Sequence, residues 1–507
     1  MIVGGGTAGW LTAGVIAARH KGRMGADLTV TLVESPDTPI IGVGEGTWPT
    51  LRTTLREMGV SETEFFRECD ASFKQGAKFA RWTSGAADDG YYHPLMPPQG
   101  FTRLNLAPHW LAGANAADTF CDAVCPQGRL CDDGLAPKTI TTPEYDGLAN
   151  YAYHLDAGKF SAFLQRHCTR TLGVRHVLAH VDRVEQDETG DIAAVVTRQA
   201  GRVAGDLFVD CTGFSALLIG QTLGVPVRDV SDVLFCDTAL AVQVPYDEPQ
   251  APIASHTIST AQQAGWIWDI GLPTRRGVGY VFSSRHTSDD AAERELRTYL
   301  GTAHADLQVR RIPIRSGHRD IFWKRNCVAV GLAAGFLEPL EASAIVLIEL
   351  SAKLIAEQMP ACREVMDIIA RRFNDVTSYR WGRIVDFLKL HYVLTQRRDS
   401  GFWIDNTDPA SIPDRLRDLL HLWRYQSPWY FDEFDRLEEV FPAASYQYVL
   451  YGMGFRTQVN ERDLRQTSAA ASRLAGENAA ITRQLRGRLP PHRELIGKIR
   501  EHGMQVI

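Results

Sequence analysis

The sequence lacks any apolar run of the roughly 18 residues needed to cross a bilayer, and no basic stretch precedes an apolar one at its start. Neither a membrane span nor a secretory leader is read, and a cytoplasmic location is expected. It also lacks a cysteine framework. Its 9 cysteines are scattered and odd in number, which argues against a disulfide scaffold. The closest set is Cys121, Cys125 and Cys131. A C-x3-C pair without a second pair or a matching histidine is a poor zinc ligand set, so reduced thiols and no metal are expected. Excess basic charge is missing too: 54 Lys and Arg stand against 60 Asp and Glu, a net charge of −6. That balance excludes the electrostatic footprint of a nucleic-acid binder. The arginines between Arg456 and Arg500 alternate with acids and alanines and read as a solvated helix face. No internal repeat or long low-complexity tract is present. What remains is a chain of 507 residues, 45% hydrophobic and 22% charged, which is ordinary for a globular protein with one large α/β unit or two to three domains.

The chain opens with Met1 to Val3, a glycine-rich turn and a helical pattern, followed by the β-branched run Leu28 to Val33. Three residues are fewer than the usual five or six of a strand, so a strand clipped at its start is expected. Val177 to Val184, Ile192 to Arg198 and Leu207 to Val209 read as strands of the same sheet system, and Tyr153 to Cys168 as an amphipathic helix. Leu234 to Val244 and Val278 to Ser283 suggest a second, antiparallel sheet. Tyr91 to Thr142 is loop-rich. From about Asp367 the pattern is mostly helical, with breaks near Trp403 and Trp429. The expected division is a discontinuous core over 1–365, with insertions at about 80–150 and 230–320, and a helical region over 366–507.

The first motif is Gly4-x-Gly6-x-x-Gly9, between a strand and a helix. Such a turn lets backbone N–H groups approach a pyrophosphate, and the helix start adds partial positive charge. Glu34 ends the next strand 25 residues after Gly9, where an acid accepts from a ribose hydroxyl. Two further strand-to-glycine segments, Gly205 to Leu218 and Val328 to Ile345, follow far along the chain. A nicotinamide domain would confine its fingerprint to one unit. Three dispersed segments fit an extended FAD in a discontinuous domain. That fold serves reductases, oxidases, hydroxylases and halogenases, so it leaves the reaction open.

Five segments narrow it: GGGTAGW at 4–10; Ile41 to Thr47; Phe73-Lys74 with Lys78, Phe79 and Trp82; Gly265 to Ile270 with Trp266 and Trp268; and Phe336 to Ile345 with Glu338-Pro339-Leu340-Glu341. In order and spacing, from residue 1 to roughly 405, the sequence resembles the flavin-dependent tryptophan halogenases. The resemblance implies an α/β fold: an FAD-binding Rossmann-like domain (GR2-type, flavoprotein monooxygenase-like), an additional antiparallel sheet and a mostly helical C-terminal substrate region. It implies hypohalous acid made from oxygen and chloride or bromide at FADH2, which a separate NADH-dependent flavin reductase supplies. It implies FAD contacts at Gly4, Gly6, Thr7, Ala8, Gly9, Glu34, Gly42, Val43, Gly44, Glu45, Val181, Leu337 and Ile345, and halide at the N–H groups of Ser343 and Ala344. Lys74 and Glu341 would be catalytic, Lys74 holding the oxidant by a hydrogen bond or as a haloamine. A homodimer is a family-level expectation.

Trp266 and Trp268 alternate at strand spacing and share one face, from which their indoles would keep organic substrate from the flavin. The resemblance also implies that His93, Leu95 and Phe441 fall at wall positions around the substrate. Four departures stand out. Gly271 replaces a proline, Ala342 and Ala344 replace serine and glycine, and Arg436 falls where free-tryptophan enzymes hold the amino group with an acid. The guanidinium would repel an ammonium, so an indole-like, peptide-borne or other electron-rich aromatic is the expected substrate. Two other readings share the nucleotide fingerprint: an aromatic monooxygenase that hydroxylates directly, and a non-catalytic flavin-binding protein. Lys78 is the alternative to Lys74, and a surface position is the alternative role for Lys74.

Overall fold

The computed structural model describes residues 1–506 other than 24, 26, 38–43, 114–117, 305, 431–435, 437 and 438. Two compact units emerge: 1–71 with 155–230 and 315–381, and 72–154 with 231–314 and 382–507. The helical tail expected from 366 onward is therefore divided between them, at a boundary inside the 31-residue helix Arg363–Val393.

The first unit is built on a six-stranded sheet in the order Trp323–Lys324, Cys327–Ala329, Phe208–Asp210, Ile2–Val3, Thr31–Glu34, Arg175–Leu178. All neighbours are parallel except the first pair. A parallel sheet is covered on both faces, which explains the unbroken apolar runs of its central strands. The helix Thr7–Arg19 buries every residue from Gly9 to Ala17 and packs on the helices Ala157–Arg170 and Ser343–Glu357. Its alanines and glycines allow that close approach.

Two expectations need correction. Val177 to Val184 is not one strand of the parallel sheet. Arg175–Leu178 ends there, and Val181–Gln186 begins a separate three-stranded antiparallel sheet with Ile192–Thr197 and Gly201–Ala204. Tyr153 to Asp156 is strand, not helix, because 152–154 pair with Ser72–Lys74. The helix starts at Ala157, where the Asp156 side chain accepts from Lys159 N–H and caps it.

The second unit carries a seven-stranded sheet in the order Arg310–Pro313, Thr238–Pro245, Arg275–Phe282, Gly265–Gly271, Thr257–Ala261, Gly76–Ala80, Gly90–Pro94. One face presents Leu240, Val242, Ile267, Val278, Tyr280 and Phe282 to Ala292, Leu296 and Leu300 of the helix Asp289–Leu300. Each large side chain buried there contributes roughly 1.5–3 kcal/mol. Ile267 faces this core, so strand alternation sends Trp266 and Trp268 to the opposite face. Leu485 and Leu489, near the end of the chain, join Leu130 and Ala149 in a second apolar cluster. No described helix is long and apolar enough to cross a membrane. All nine cysteines are free thiols.

Candidate active site

The glycine fingerprint divides its labour. A Cβ on Gly4 would stand 2.1 Å from the Cys211 carbonyl oxygen, and one on Gly9 would stand 1.9 Å from the oxygen of Gly4. These two glycines let the turn close and the helix dock. Gly6 is different: nothing lies within 4 Å of a Cβ built there. Gly6 is also the N-cap of the helix Thr7–Arg19, which has no side-chain cap and no acid in its first turn. Its leading N–H donors, at Thr7, Ala8 and Gly9, thus border open space beside a positive helix end, a cradle for a pyrophosphate. Glu34 ends its strand beneath this loop, its Oε2 2.9 Å from His176 Nε2. Burial pushes the Glu34 carboxyl up against the pull of His176. The residues fit an adenine dinucleotide, with Glu34 placed to accept from a ribose hydroxyl.

The later segments fold onto the same cradle. Gly331, at φ +68°, closes on Ala8. Asp210, by contrast, serves local folding: its carboxylate accepts from the N–H groups of Thr212, Leu218 and Ile219. Gly44 and Glu45 lie on the strand Gly44–Gly46, where desolvation and then Asp156 push the Glu45 carboxyl up to about 7. Gly42 and Val43 lie outside the described residues. Val181 is half-buried at the start of its strand.

Glu341 precedes the helix Ser343–Glu357, and its backbone oxygen accepts from Trp48 Nε1 at 2.8 Å. Leu337, Glu341, Ser343 and Ile345 are buried, while Ala344 is exposed. The helix has neither a side-chain cap nor an acid in its first turn, so its leading N–H groups, at Ser343 and Ala344, meet no capping side chain. The left-handed conformation here belongs to Ala342, at φ +54°. Ala344 has an ordinary φ, so the departure from glycine there brings no strain. Two turns into the helix, the buried Glu349 accepts from Thr54 at 2.5 Å and from Thr50 at 3.1 Å.

In the second unit, Lys74 is only 4% exposed. It lies on the strand Ser72–Lys74, opposite Ala152, with Ser72 opposite His154. Lys74 and His154 therefore share a face. Burial, and then the charge of Lys74, hold the His154 imidazole well below its usual pKa. Its Nε2 lies 2.8 Å from Thr257 Oγ1. Lys78 is committed elsewhere: it pairs with Asp132 at 2.9 Å, half-exposed, over the ring of Tyr92.

Trp266 and Trp268 stand 6.4 Å apart on one face. Trp266 is fully buried near Trp82, which in turn packs edge-on against Trp403. Around the wall positions, His93 Nε2 lies 2.9 Å from Ser445 Oγ, and Leu95 is clamped by Gln127 and Asn150 through its backbone. Phe441 is buried, its ring stacked at 3.7 Å on Phe387. One face of the Phe441 ring is thus covered by Phe387. Phe387 belongs to no motif and was invisible in sequence, and only its place in a long helix hinted at burial. Beside it, burial and then Glu439 push the Asp386 carboxyl up to about 7, and Arg383 and Arg415 pair with it.

Comparison with known proteins identifies the family. The tryptophan halogenase family model matches residues 1–469. The crystal structure of a tryptophan halogenase from Shewanella frigidimarina superposes with a TM-score of 0.96 at 48% identity, covering 100% of this chain and 98% of that one. The tryptophan 6-halogenase SttH of Streptomyces toxytricini is 34% identical, with 90% of this chain and 89% of that protein covered. The tryptophan 7-halogenase RebH of Lentzea aerocolonigenes is 33% identical, with 84% and 81% covered.

Proposed function

This chain belongs to the flavin-dependent tryptophan halogenase family, and from that premise we propose that Lys74 delivers the halogen to an electron-rich, indole-like aromatic. Reduced FAD, when bound at the Gly6 cradle, supplies the electrons with which oxygen converts chloride or bromide to hypohalous acid. The N–H groups of Ser343 and Ala344 hold the halide. As an ammonium, Lys74 donates a hydrogen bond to the oxygen of the hypohalous acid and makes the halogen more electrophilic. As an amine, it forms an N–X bond with release of water. In either case the ring carbon gains the halogen and loses its proton, with Glu341 as the base. The net change is HOX + ArH → ArX + H2O.

The observation that supports this reading is the burial of Lys74 in a paired strand, where a solvated lysine would have no reason to sit. Trp266 and Trp268 act as spacers that hold organic substrate off the flavin. His93, Leu95 and Phe441 belong to the substrate wall, and Arg436 disfavours an α-ammonium, hence free tryptophan. A separate NADH-dependent reductase provides FADH2 by diffusion. A homodimer and a cytoplasmic location complete the reading. The test combines the protein with FAD, NADH, a flavin reductase, oxygen and bromide, with indole as probe. A haloindole isotope pattern that needs bromide supports the proposal. Oxygenated indole formed equally well without halide would make the protein a direct hydroxylase.

A further inference from the structure

The strand Ser72–Lys74 has two edges. One pairs antiparallel with 152–154. On the other, the N–H of Gln75 donates directly to the Ser255 oxygen at 2.7 Å. The rung before it is closed by a side chain. Phe73 N–H donates to His492 Nε2 at 3.0 Å, and Nδ1 of the same ring lies 3.0 Å from the Ile253 oxygen. These partners fix the tautomer, because an amide N–H only donates and a carbonyl only accepts: Nε2 is the acceptor and Nδ1 carries the hydrogen. An imidazolium has no lone pair and could not make this bridge. Burial first, and Arg493 in addition, push the His492 ring down to about 4 against the Ile253 hydrogen bond, so it is neutral at neutral pH.

The helix that carries this ring is anchored to the segments it joins. In His492–His502, Leu495, Ile496 and Ile499 are buried, and His492 N–H donates to the Gly134 oxygen at 2.9 Å. The guanidinium of Arg493 donates to the Ala251 oxygen and, at 3.1 Å, to the Pro273 oxygen. His492 itself is 1% exposed, beyond the 1–469 span that the family model matches.

We propose that His492 is a positioning residue for Lys74, closing the ladder one residue ahead of the lysine and so fixing the backbone from which its amine projects. The inference rests on the reading of Lys74 as the residue that delivers the halogen. Without this rung the edge keeps the Gln75 bond to Ser255 and the Ser72 hydroxyl bond to Gly271 but loses its restraint directly before the lysine, and a displacement of about 1 Å at a reacting group costs on the order of 100-fold in rate.

The test compares His492→Phe, which keeps a planar ring of somewhat larger size and removes both nitrogens, with His492→Gln, which restores one donor and one acceptor. The readout is haloindole formed per hypohalous acid generated, the free acid being trapped with a thiol. His492→Phe is expected to lower that ratio about 10- to 100-fold through kcat, with little change in KM for indole, and His492→Gln to recover most of the loss. His492→Leu replaces the phenylalanine variant should that one not fold. Hydrogen exchange on the wild type gives a further check: the Phe73 amide is expected to be as protected as that of Gln75. A folded His492→Phe with an unchanged ratio, or a fast-exchanging Phe73 amide, overturns the proposal. An unchanged ratio in a parallel Lys74→Ala variant would overturn the reading of Lys74 instead.

Discussion

Gly331 meets Ala8 so closely that a Cβ on the glycine would stand 2.6 Å from that of the alanine. This contact joins the third glycine-rich segment to the first turn of the fingerprint helix and explains how distant stretches form one cradle. The contrast with Gly6 makes a prediction. Gly331→Ala places a methyl at φ +68° against Ala8, and strain of about 1–2 kcal/mol plus the clash should lower the melting temperature. Gly6→Ala meets no atom and has φ −76°, so it should fold normally yet bind FAD at least about 10-fold more weakly, because the methyl occupies the ligand's space. Thermal melts and a flavin fluorescence titration separate the two. Equal FAD affinity in Gly6→Ala would remove the cradle from the account.

Ala342 holds the left-handed conformation at the entry to the helix Ser343–Glu357, at φ +54°. A non-glycine residue there costs roughly 1–2 kcal/mol. Ala342→Gly should therefore raise stability by up to about 1 kcal/mol after the entropy of the glycine is counted. A lower melting temperature would show that the methyl itself is needed.

Burial pushes the Glu349 carboxyl from 4.5 up to about 7, against the hydrogen bonds from Thr54 and Thr50. Between those pH values the folded protein holds more proton than the unfolded chain, so this group's contribution falls as pH rises through the window. The shift corresponds to about 3 kcal/mol at most. Glu349→Gln does not titrate, and its melting temperature should fall less than that of the wild type between pH 4.5 and 7. Parallel slopes would contradict the assignment.

The fingerprint turn and the lysine segment were legible in sequence because their signals are local. Gly4, Gly6 and Gly9 specify a turn by themselves, Glu34 follows at fixed spacing, and the lysine segment carries its aromatic neighbours with it. The misreadings arose where tertiary pairing decides. Tyr153 and Leu155 fit a helical period as well as a strand, and only the partner strand Ser72–Lys74 settles the matter. No periodicity shows that the chain leaves one sheet at Leu178 and enters another at Val181. Phe387 and His492 act through Phe441 and Phe73, remote in sequence, so neither belongs to any motif.

Whether the amine of Lys74 delivers the halogen is decided by Lys74→Ala in the coupled assay, with hypohalous acid trapped by a thiol and haloindole measured by mass spectrometry. FAD binding and trapped oxidant should persist while haloindole falls by at least about 100-fold, the scale on which a single proton-transfer group contributes to catalysis. Haloindole formed by the alanine variant at the wild-type rate would contradict delivery by Lys74.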